Sequence, residues 1–391
     1  MDVYSLYFHV PFCQKRCYYC DFNTYAGMES WIPQYTDALC SEIEQVAGLA
    51  GEHLPVHTIF FGGGTPSLLS ESNFAQILGT IERNYTLMPG LEASLEANPG
   101  TVSAASLRGL RKMGFNRLSL GVQSANPEEL RLLGRIHDTT DVIQSVKWAR
   151  QAGFDNLNLD LIYGLPDQTL ETWQKTVETV LGLRPEHISM YSLTIEEGTL
   201  FHRWTQRGAI SAPDDDTAAE MYEWACDRLE EAGYVQYEIS NWARKDSAGN
   251  VLACRHNLQY WRSLPYLGFG PGAHGFAAGV RTANVTAIPA YIRKCRQTGH
   301  NQFPIGPASA ETRAIDPLTE MQETMMVGLR LVDEGVFFTT FQERFGQSLE
   351  QVFGKQINKL CAQGLLEQVD GRLRLTKHGR LLGNRVFIEF V

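Results

Sequence analysis

Three cysteines near the N-terminus are spaced closely enough to bind one metal group. Cys13, Cys17 and Cys20 form a CxxxCxxC pattern, and Pro11 before them favours a loop over a helix. Thiolates are the usual ligands of zinc and of iron-sulfur clusters, but a structural zinc takes four protein ligands. Phe22 stands where a further cysteine would continue the pattern. The spacing therefore favours a 4Fe-4S cluster with one iron left for a small molecule. A zinc site completed by His9, or three buried thiols without metal, are the alternatives.

Two further segments have residues suited to a polar ligand. Gly63, Gly64 and Thr65 in "FFGGGTPS" follow a β-rich run, and glycines there let the backbone approach a ligand closely. Glu96 in "SLEANP" ends the next such run, where a carboxylate can accept from an ammonium group or from ribose hydroxyls. A tight connection and an exposed acid at a strand end are the alternatives for these two segments.

The elements that position these residues alternate between β-rich runs and amphipathic helical segments from residue 5 to about 195, which predicts a parallel sheet. The predicted strands are "SLYFHV", "VHTIFF", "LEASLEA", "NRLSLGV", "NLNLDLIY" and "HISMYSL", and the predicted helices are 31–49, 70–85, 103–113, 127–152 and 169–182. The pattern indicates an α/β fold with a partial (β/α)6 barrel.

Polar residues alternate with aliphatic ones in three of the predicted strands. The polar residues are Ser94 and Glu96, Ser119 and Gln123, and Asn158 and Asp160. Because alternate residues of a strand lie on opposite faces, we expect a polar inner face suited to a polar ligand. An amphipathic antiparallel sheet with one face in water is the alternative.

The cysteine pattern, with an aromatic residue at Tyr19, resembles that of radical S-adenosylmethionine (SAM) proteins. In that superfamily the open iron binds the amino and carboxylate groups of SAM, and an electron from the cluster cleaves the sulfonium to a 5'-deoxyadenosyl radical. The later segments "GVQS", "LGRIHD" and "NLDLIYGLPDQ" resemble oxygen-independent coproporphyrinogen III oxidase and its relatives in order and spacing. The resemblance covers essentially the whole chain.

This resemblance implies two sets of SAM contacts. The residues similar to contacts of the cluster-bound SAM are Tyr7, Gly63 and Glu96. Those similar to contacts of a second SAM are Tyr19, Gly64, Thr65, Gln123, Arg135 and Asp160. Arg135 offers a fork for a carboxylate and Asp160 an acceptor pair for hydroxyls. A surface ion pair is the alternative for Arg135.

Two departures separate this sequence from the oxidase, which has a CxxxCxxCxC pattern and an extension before the cluster loop. Phe22 replaces the last cysteine, and only twelve residues precede Cys13. In both features the sequence resembles the HemW group, a set of heme chaperones. The segment "CRHNLQYW" resembles the HNxxYW element of that group, a proposed heme-binding feature. This implies His256 as the axial heme ligand and Cys254 as a second candidate, with a histidine satisfied in a loop as the alternative.

The C-terminal part has a separate pattern, in which two helices after "LTEMQETMMVGLRL" and a hairpin around Asp370 and Gly371 predict a winged-helix-like α+β module. The predicted domains are 1–200, the radical SAM barrel; 201–316, its completion with the HNxxYW segment; and 317–391, the winged module. Residues 317–391 contain nine acidic and nine basic residues, and the whole chain has a net charge of −10. This balance disfavours nucleic acid as a partner.

Composition and resemblance together lead to one functional hypothesis and two rivals. The chain has eight cysteines, three clustered and five scattered, and it has neither a secretory signal nor an apolar run of about 18 residues. These features favour a cytoplasmic protein. The sequence does not decide whether the protein makes a peripheral contact at the inner face of the membrane, receives heme from a donor protein or forms a dimer. We expect a heme chaperone that delivers heme to respiratory membrane proteins. A radical SAM enzyme acting on a tetrapyrrole and a nucleic-acid modification enzyme are the rivals.

Overall fold

A computed structural model describes residues 2–297 and 301–391; Met1 and residues 298–300, which fall within the predicted ranges 1–200 and 201–316, lie outside the described residues. The chain forms two compact units. The first unit contains residues 1–228 and 265–313, and the second contains residues 229–264 and 314–391. The three-part division made from the sequence stays a prediction.

The strands are short and lie along the whole described chain. In chain order they are β1 (Tyr4–Val10), β2 (Phe12–Cys13), β3 (Tyr25–Ala26), β4 (Pro55–Gly63), β5 (Thr86–Ala97), β6 (Arg117–Gln123), β7 (Leu157–Tyr163), β8 (His187–Ser192), β9 (Val235–Glu238), β10 (Asn241–Ala243), β11 (Tyr266–Phe269), β12 (His274–Ala277), β13 (Val280–Asn284), β14 (Ser309–Ala314), β15 (Val336–Phe337), β16 (Leu366–Val369) and β17 (Arg372–Leu375).

Helices connect most of these strands. In chain order they are α1 (Ile32–Ala50), α2 (Glu71–Asn84), α3 (Ala104–Lys112), α4 (Pro127–Leu133), α5 (Thr139–Ala152), α6 (Leu170–Gly182), α7 (Leu200–Gln206), α8 (Asp215–Glu231), α9 (Arg255–Trp261), α10 (Ile288–Cys295), α11 (Pro317–Gly328), α12 (Phe338–Phe345), α13 (Leu349–Ala362), α14 (Lys377–Leu381) and α15 (Gly383–Phe387).

Parallel strands form the centre of the first unit, which confirms the predicted (β/α)6 arrangement. Strands β1, β4, β5, β6, β7 and β8 are neighbours in that order, and each pair is parallel. A helix lies between each strand and the next along the chain. Because the carboxyl ends of parallel strands share one edge of the sheet, residues that follow these strands lie on the same side.

The starts of the connecting helices are fixed by the sequence. Helices α2, α3, α5 and α6 each begin with a capping box, in which the N-cap and N3 residues exchange hydrogen bonds. Each such cap is worth about 1 kcal/mol. The sheet beneath them is covered by aromatic residues, such as Phe8, which stacks on Phe61 at 4.7 Å and on Phe269 at 5.3 Å between ring centroids.

The single helix predicted over 127–152 is wrong, because the structure has two helices there. Gly134 takes a φ of 75° and ends α4, since this left-handed conformation is favourable for glycine. Asp138 then starts α5 by accepting a hydrogen bond from the backbone N–H of Asp141. The segment between the helices contains Arg135. The break therefore removes Arg135 from a helix and places it on a loop.

A second difference concerns "CRHNLQYWRSLPYLGFGPGAHGF", whose glycine and aromatic content predicts an irregular segment. It contains α9, β11 and β12. In the first unit β11 pairs parallel with β1, and β12 and β13 continue the sheet as antiparallel strands. A Cβ at Gly268 would lie 1.9 Å from the carbonyl oxygen of His274, so only glycine allows this approach. Four-residue strands rich in glycine lack the period-two pattern that predicts a strand.

The second unit contains the predicted winged-helix-like module. Helices α11, α12 and α13 accompany a sheet in the order β15, β17, β16. Asp370 and Gly371 connect β16 to β17 with φ angles of 50° and 73°, as a two-residue type I′ turn requires. The core includes Met325, Phe353 and Leu373, all buried. Within the described part of the chain, no helix has the length and apolar content needed to cross a bilayer.

Candidate cluster and cofactor site

The loop that contains the three cysteines is fixed at several backbone positions. Cys13 lies in β2, and Cys17 and Cys20 lie in the loop after it. The N–H of Tyr18 donates to the carbonyl of Leu133 at 3.1 Å, and the N–H of Phe201 donates to the carbonyl of Tyr18 at 3.1 Å. The end of α4 and the start of α7 thus hold the loop in place.

The "GGGT" segment after β4 packs directly against the first part of this loop. The N–H of Gly64 donates to the carbonyl of Val10, and that of Thr65 donates to the carbonyl of Phe12, both at 2.8 Å. A Cβ at Gly64 would lie 2.6 Å from the Phe12 carbonyl oxygen and 3.1 Å from Sγ of Cys13. Glycine is therefore required for this approach rather than merely tolerated.

A cavity of about 370 Å³ brings the cysteines together with the carboxyl ends of the parallel strands. This volume lies within the range of small-molecule sites. The predicted site residues that line the cavity are Cys13, Cys17, Cys20, Tyr19, Gly63, Gly64, Glu96, Gln123, Arg135 and Asp160. Thr65 lines a smaller neighbouring cavity together with Cys17, Asn98 and Arg135. Residues from six separate segments of the sequence therefore meet at one place.

Each of the three sulfur atoms has a hydrogen-bond partner nearby. Nη1 of Arg135 donates to Sγ of Cys17 at 3.3 Å, and the hydroxyl of Thr65 donates to Sγ of Cys13 at 3.6 Å. The hydroxyl of Thr24 lies 3.9 Å from Sγ of Cys20. Such donors around thiolates are typical of iron-sulfur sites, where they help to set the reduction potential.

The thiols also lie in an environment that makes the charged form costly without a cation. Burial raises the pKa of Cys13, and the nearby Cys20 and Cys17 raise it further, although the Thr65 hydrogen bond lowers it. Burial likewise raises the pKa of Cys20. Thiolates in such a place are stabilised by bound metal ions, which displace the protons. The donor set and its surroundings therefore fit the cluster that the superfamily pattern implies.

Among the residues that the structure describes, no group of three or more His, Cys, Asp or Glu side chains is arranged to hold a single metal ion. His9 does not complete such a site, because its Nε2 lies 3.0 Å from the carbonyl oxygen of Asn23 and its Nδ1 lies 3.0 Å from the hydroxyl of Tyr7. A cluster differs from a single ion in that each thiolate binds a different iron.

Tyr7 is held next to the site by this histidine. Because the Asn23 carbonyl can only accept, Nε2 of His9 donates to it, so Nδ1 is the acceptor and the Tyr7 hydroxyl is the donor. Burial, and secondly the charge of Glu96, raise the pKa of Tyr7 far above its usual range. A Cβ at Gly63 would lie 2.5 Å from the His9 ring. Tyr7, His9 and Gly63 thus form one packed group.

Glu96 is one of the carboxylates that line the cavity. The N–H of Gly63 donates to its Oε2 at 3.0 Å. Burial, with a second contribution from Asp160, raises the pKa of Glu96 to about 7. The carboxyl group is therefore poised to become ionised when a positively charged group arrives.

Asp160 lies on the neighbouring part of the inner face with fixed orientation. Its Oδ2 accepts from the hydroxyl of Ser119 at 2.7 Å, and its Oδ1 accepts from Nδ2 of Asn158 at 2.7 Å. Oδ1 of Asn158 in turn lies 2.6 Å from Nδ1 of His187. The polar inner face predicted from alternation is therefore a connected hydrogen-bond network rather than a wet surface.

Gln123 has an unusual backbone conformation, and the side chain of Arg135 is already hydrogen bonded to other protein groups. Gln123 has a φ of 68°, an unfavourable backbone conformation for this residue, at a register shift between β6 and β7. Nη2 of Arg135 donates to Oδ1 of Asn98 and, at 2.6 Å, to the carbonyl of Gly121. Since Nη1 donates to Cys17, a bidentate grip on a ligand carboxylate requires Arg135 to exchange partners.

The proposed heme ligand lies in the second unit. His256 is in α9, only 1% exposed, and its Nε2 lies 2.8 Å from the hydroxyl of Tyr260. Cys254 is the N-cap of the same helix and is fully buried. Ligation of iron through Nε2 therefore requires His256 to leave Tyr260. The heme-ligand role of His256 and the SAM roles of the cavity residues stay predictions.

Sequence reasoning missed several residues at this site. Asn98 contacts both Thr65 and Arg135, and Lys15, Arg16 and Tyr191 line the cavity. Asn98 follows Glu96 by two residues at the carboxyl end of β5, and that position was a signal that could have been used. Phe22, which was singled out as a missing cysteine, is 63% exposed at the cavity rim.

Comparisons with known proteins agree with this geometry. The family model described as the radical SAM superfamily matches residues 7–180, and that of the HemN C-terminal domain matches residues 315–382. The chain is 39% identical to "Heme chaperone HemW" of Bacillus subtilis, covering 99% of each protein. It is 37% identical to "Radical S-adenosyl methionine domain-containing protein 1, mitochondrial" of Danio rerio, over 92% of this chain and 80% of that protein.

A solved structure is similar over the whole chain. Coproporphyrinogen III oxidase (HemN) from Escherichia coli, described as a radical SAM enzyme, superposes with a TM-score of 0.83 at 25% sequence identity. The match covers 100% of this chain and 90% of the other. The fold expected from the sequence pattern is therefore confirmed.

Proposed function

Because this chain belongs to the HemW family of the radical SAM superfamily, we propose that it is a heme chaperone that binds a 4Fe-4S cluster and SAM. It holds heme as cargo and delivers it to respiratory membrane proteins. The observation that carries the proposal is the single cavity in which three cysteines face Glu96, Gln123 and Asp160, in a chain similar over 99% of its length to a protein named a heme chaperone.

Cys13, Cys17 and Cys20 are the residues that hold the cluster in this proposal. When bound, the cluster supplies an open iron for SAM and an electron. Thr65 and Arg135 stabilise the ligand thiolates by donating hydrogen bonds to Cys13 and Cys17. Tyr18 holds the middle of the loop, and Gly64 holds the end of β1 before it, through backbone contacts.

The cavity residues bind SAM according to their chemistry. Glu96 accepts from the amino group of the methionyl end, with Gly63 and Tyr7 beside it, because its carboxyl group is an acceptor that lines the cavity. Asp160 accepts from hydroxyls on the neighbouring part of the inner face. Tyr19, Gly64, Thr65, Gln123 and Arg135 complete the contacts around a second SAM.

Heme is bound through His256 once its imidazole leaves Tyr260. Imidazole is a common protein ligand of heme iron, and Tyr260 lies beside it with its ring centroid 5.0 Å away. A heme donor protein, a membrane acceptor protein and a dimer are further parts of this proposal. The acidic chain, with a net charge of −10, makes nucleic acid an unsuitable partner.

A second function is favoured by one specific observation. The HemN structure superposes on the whole chain with a TM-score of 0.83. A radical SAM enzyme that acts on a tetrapyrrole, as coproporphyrinogen III oxidase does, is therefore the alternative. Phe22, at the position of the oxidase's extra cysteine, favours the chaperone.

The test is a paired assay on one anaerobically reconstituted, cluster-loaded sample. Heme is titrated and followed by Soret absorbance, while coproporphyrinogen III, SAM and a reductant are incubated with a second aliquot. We expect a defined heme stoichiometry and no conversion of coproporphyrinogen III. Stoichiometric formation of protoporphyrinogen IX in the second aliquot would overturn the chaperone proposal. A sample that takes up neither a cluster nor heme would overturn both functions.

A further inference from the structure

Two of the three cysteines, Cys13 and Cys17, are connected by hydrogen bonds through intervening side chains. We propose that Asn98 is a positioning residue that holds the hydrogen-bond donors of Cys13 and Cys17 in place and thereby sets the reduction potential of the cluster. The inference rests on the proposed function in one respect, namely that a cluster binds to these cysteines. It concerns a residue outside both the ligand set and the predicted SAM contacts.

The connection is a continuous path of hydrogen bonds from one sulfur to the other. The Thr65 hydroxyl donates to Sγ of Cys13 at 3.6 Å, and Nδ2 of Asn98 donates to Oγ1 of Thr65 at 2.9 Å. On the other side, Nη2 of Arg135 donates to Oδ1 of Asn98, and Nη1 donates to Sγ of Cys17 at 3.3 Å. Asn98 is the only side chain of this path that contacts both donor residues through these bonds.

The chemistry of the path requires a carboxamide at its centre. The side chain must donate to a hydroxyl at one end and accept from a guanidinium at the other, and asparagine offers both in a fixed plane. A reversed amide would place its NH₂ group against Nη2 of Arg135, so only one orientation is favourable. Because Asn98 donates to Oγ1 of Thr65, the hydroxyl proton of Thr65 is left for Cys13.

The backbone fixes the position of Asn98 independently of the cluster. Asn98 directly follows β5, and its carbonyl accepts from the N–H of Thr101 at 3.0 Å and from the Thr101 hydroxyl at 2.7 Å. Thr65 is buried, with 2% exposure. The donors are therefore oriented before a cluster binds, as a preorganised outer layer around metal ligands requires.

The expected effect follows from the charge on the cluster. Reduction adds negative charge, and hydrogen bonds to the ligand sulfurs stabilise the more negative state. Loss of such bonds lowers the reduction potential. In Asn98→Ala the Thr65 hydroxyl and the Arg135 guanidinium lose their common partner and spend less time on the sulfurs. We expect a tenfold lower equilibrium constant for one-electron reduction, which corresponds to about 59 mV.

The experiment compares reconstituted full-length variants by EPR-monitored redox titration, with iron and sulfide content and melting temperature measured on the same samples. Asn116→Ala is the matched control. Asn116 also uses both ends of its amide, accepting from the N–H of Ala93 and donating to the carbonyl of Leu91, but it joins the start of β6 to the middle of β5 and does not line the cavity. We expect Asn116→Ala to lower the melting temperature and leave the potential unchanged.

Thr65→Val supplies a second, smaller change should Asn98→Ala fail to retain its cluster. It removes one donor and should shift the potential in the same direction. Adding Asn98→Ala to Thr65→Val should then shift the potential less than Asn98→Ala does alone, since the two residues act through one path. Unchanged potentials in whichever variants retain a full cluster would overturn the inference, as would an equal shift in Asn116→Ala. A wild-type protein that assembles no cluster would instead defeat the proposed function.

Discussion

The odd number of cysteines at the site is explained by what surrounds each sulfur. Cys13 and Cys17 have donors from Thr65 and Arg135, and all three thiols open into one cavity. Phe22 lies at the rim and is 63% exposed, so a fourth cysteine at this position would lie away from the packed base of the loop. In the proposed function, three protein ligands leave one iron for SAM, and Glu96 and Asp160, which line the same cavity, are acceptors suited to its polar groups.

Glu96 provides a pH test of the SAM site. Its pKa of about 7 lies above the usual value, and only the ionised form is a good acceptor for an ammonium group. Below pH 7 the protonated form predominates, so SAM affinity should fall. Between pH 8 and pH 6 we expect about a tenfold loss of affinity, measured by calorimetry on the cluster-loaded protein.

Glu96→Gln is the control for this prediction, because its amide oxygen can still accept from the N–H of Gly63. The variant should bind SAM more weakly at pH 8 and should lose the component of the pH dependence that is centred near pH 7. Parallel pH profiles in the wild type and the variant would assign that dependence to another group.

At the scale of elements, the first unit depends on a buried carboxylate that joins α1 to the strands beyond β1. Oε2 of Glu42 accepts from the N–H of Gly270 at 2.9 Å and from the hydroxyl of Tyr291 at 2.6 Å, and its Oε1 accepts from Nδ2 of Asn284 at 2.7 Å. Burial raises the pKa of Glu42 to about 7. These bonds connect the residue after β11, the end of β13, and α10 to α1.

Glu42→Ala should therefore destabilise the first unit strongly. The substitution removes the acceptor shared by three buried donors, although Nδ2 of Asn284 also donates to the carbonyl of Gly270 at 3.0 Å. We expect a loss of about 3 to 5 kcal/mol in the free energy of unfolding. The free energy of unfolding is measured by urea titration, and hydrogen exchange in α1 reports on the stability of the first unit. Glu44→Ala on the same helix is the control, since its ion pair with Arg83 is exposed and spans 3.6 Å. A change within about 0.5 kcal/mol is expected there. Equal effects of the two variants would contradict the role given to Glu42.

The parallel strands were predicted correctly because β-rich runs, residue alternation and the helical segments between them are local features of the sequence. The inner-face residues Ser119 and Asp160 were predicted from period-two alternation and are hydrogen bonded to each other. The break at Gly134 was missed, because a glycine inside a long helical pattern is ambiguous until the left-handed conformation is seen. Asn98 was missed because its contacts join residues that are 33 and 37 positions apart, a distance at which periodicity gives no information.

At the scale of the whole molecule, the proposed functions fall in different compact units. The cluster and SAM residues lie within residues 1–228, whereas His256 and Tyr260 lie within residues 229–264. The fold is shared with an enzyme, HemN, so fold alone does not separate a chaperone from a catalyst. What separates them is the fate of the tetrapyrrole, which a chaperone binds unchanged and an oxidase converts.

Because the proposed cluster and heme ligands lie in different units, we predict that a single substitution abolishes binding of one group, the cluster or heme, and spares the other. Cys17→Ala should lose the 4Fe-4S signal in EPR and still bind heme, because the proposed axial ligand is in the second unit. His256→Ala should keep iron and sulfide near four per chain and show a changed Soret band and weaker heme binding. His378→Ala, which removes an exposed histidine of the second unit, should change neither property. Heme binding that survives His256→Ala unchanged would remove the ligand assignment. Loss of heme in Cys17→Ala would instead place the cargo at the cluster cavity.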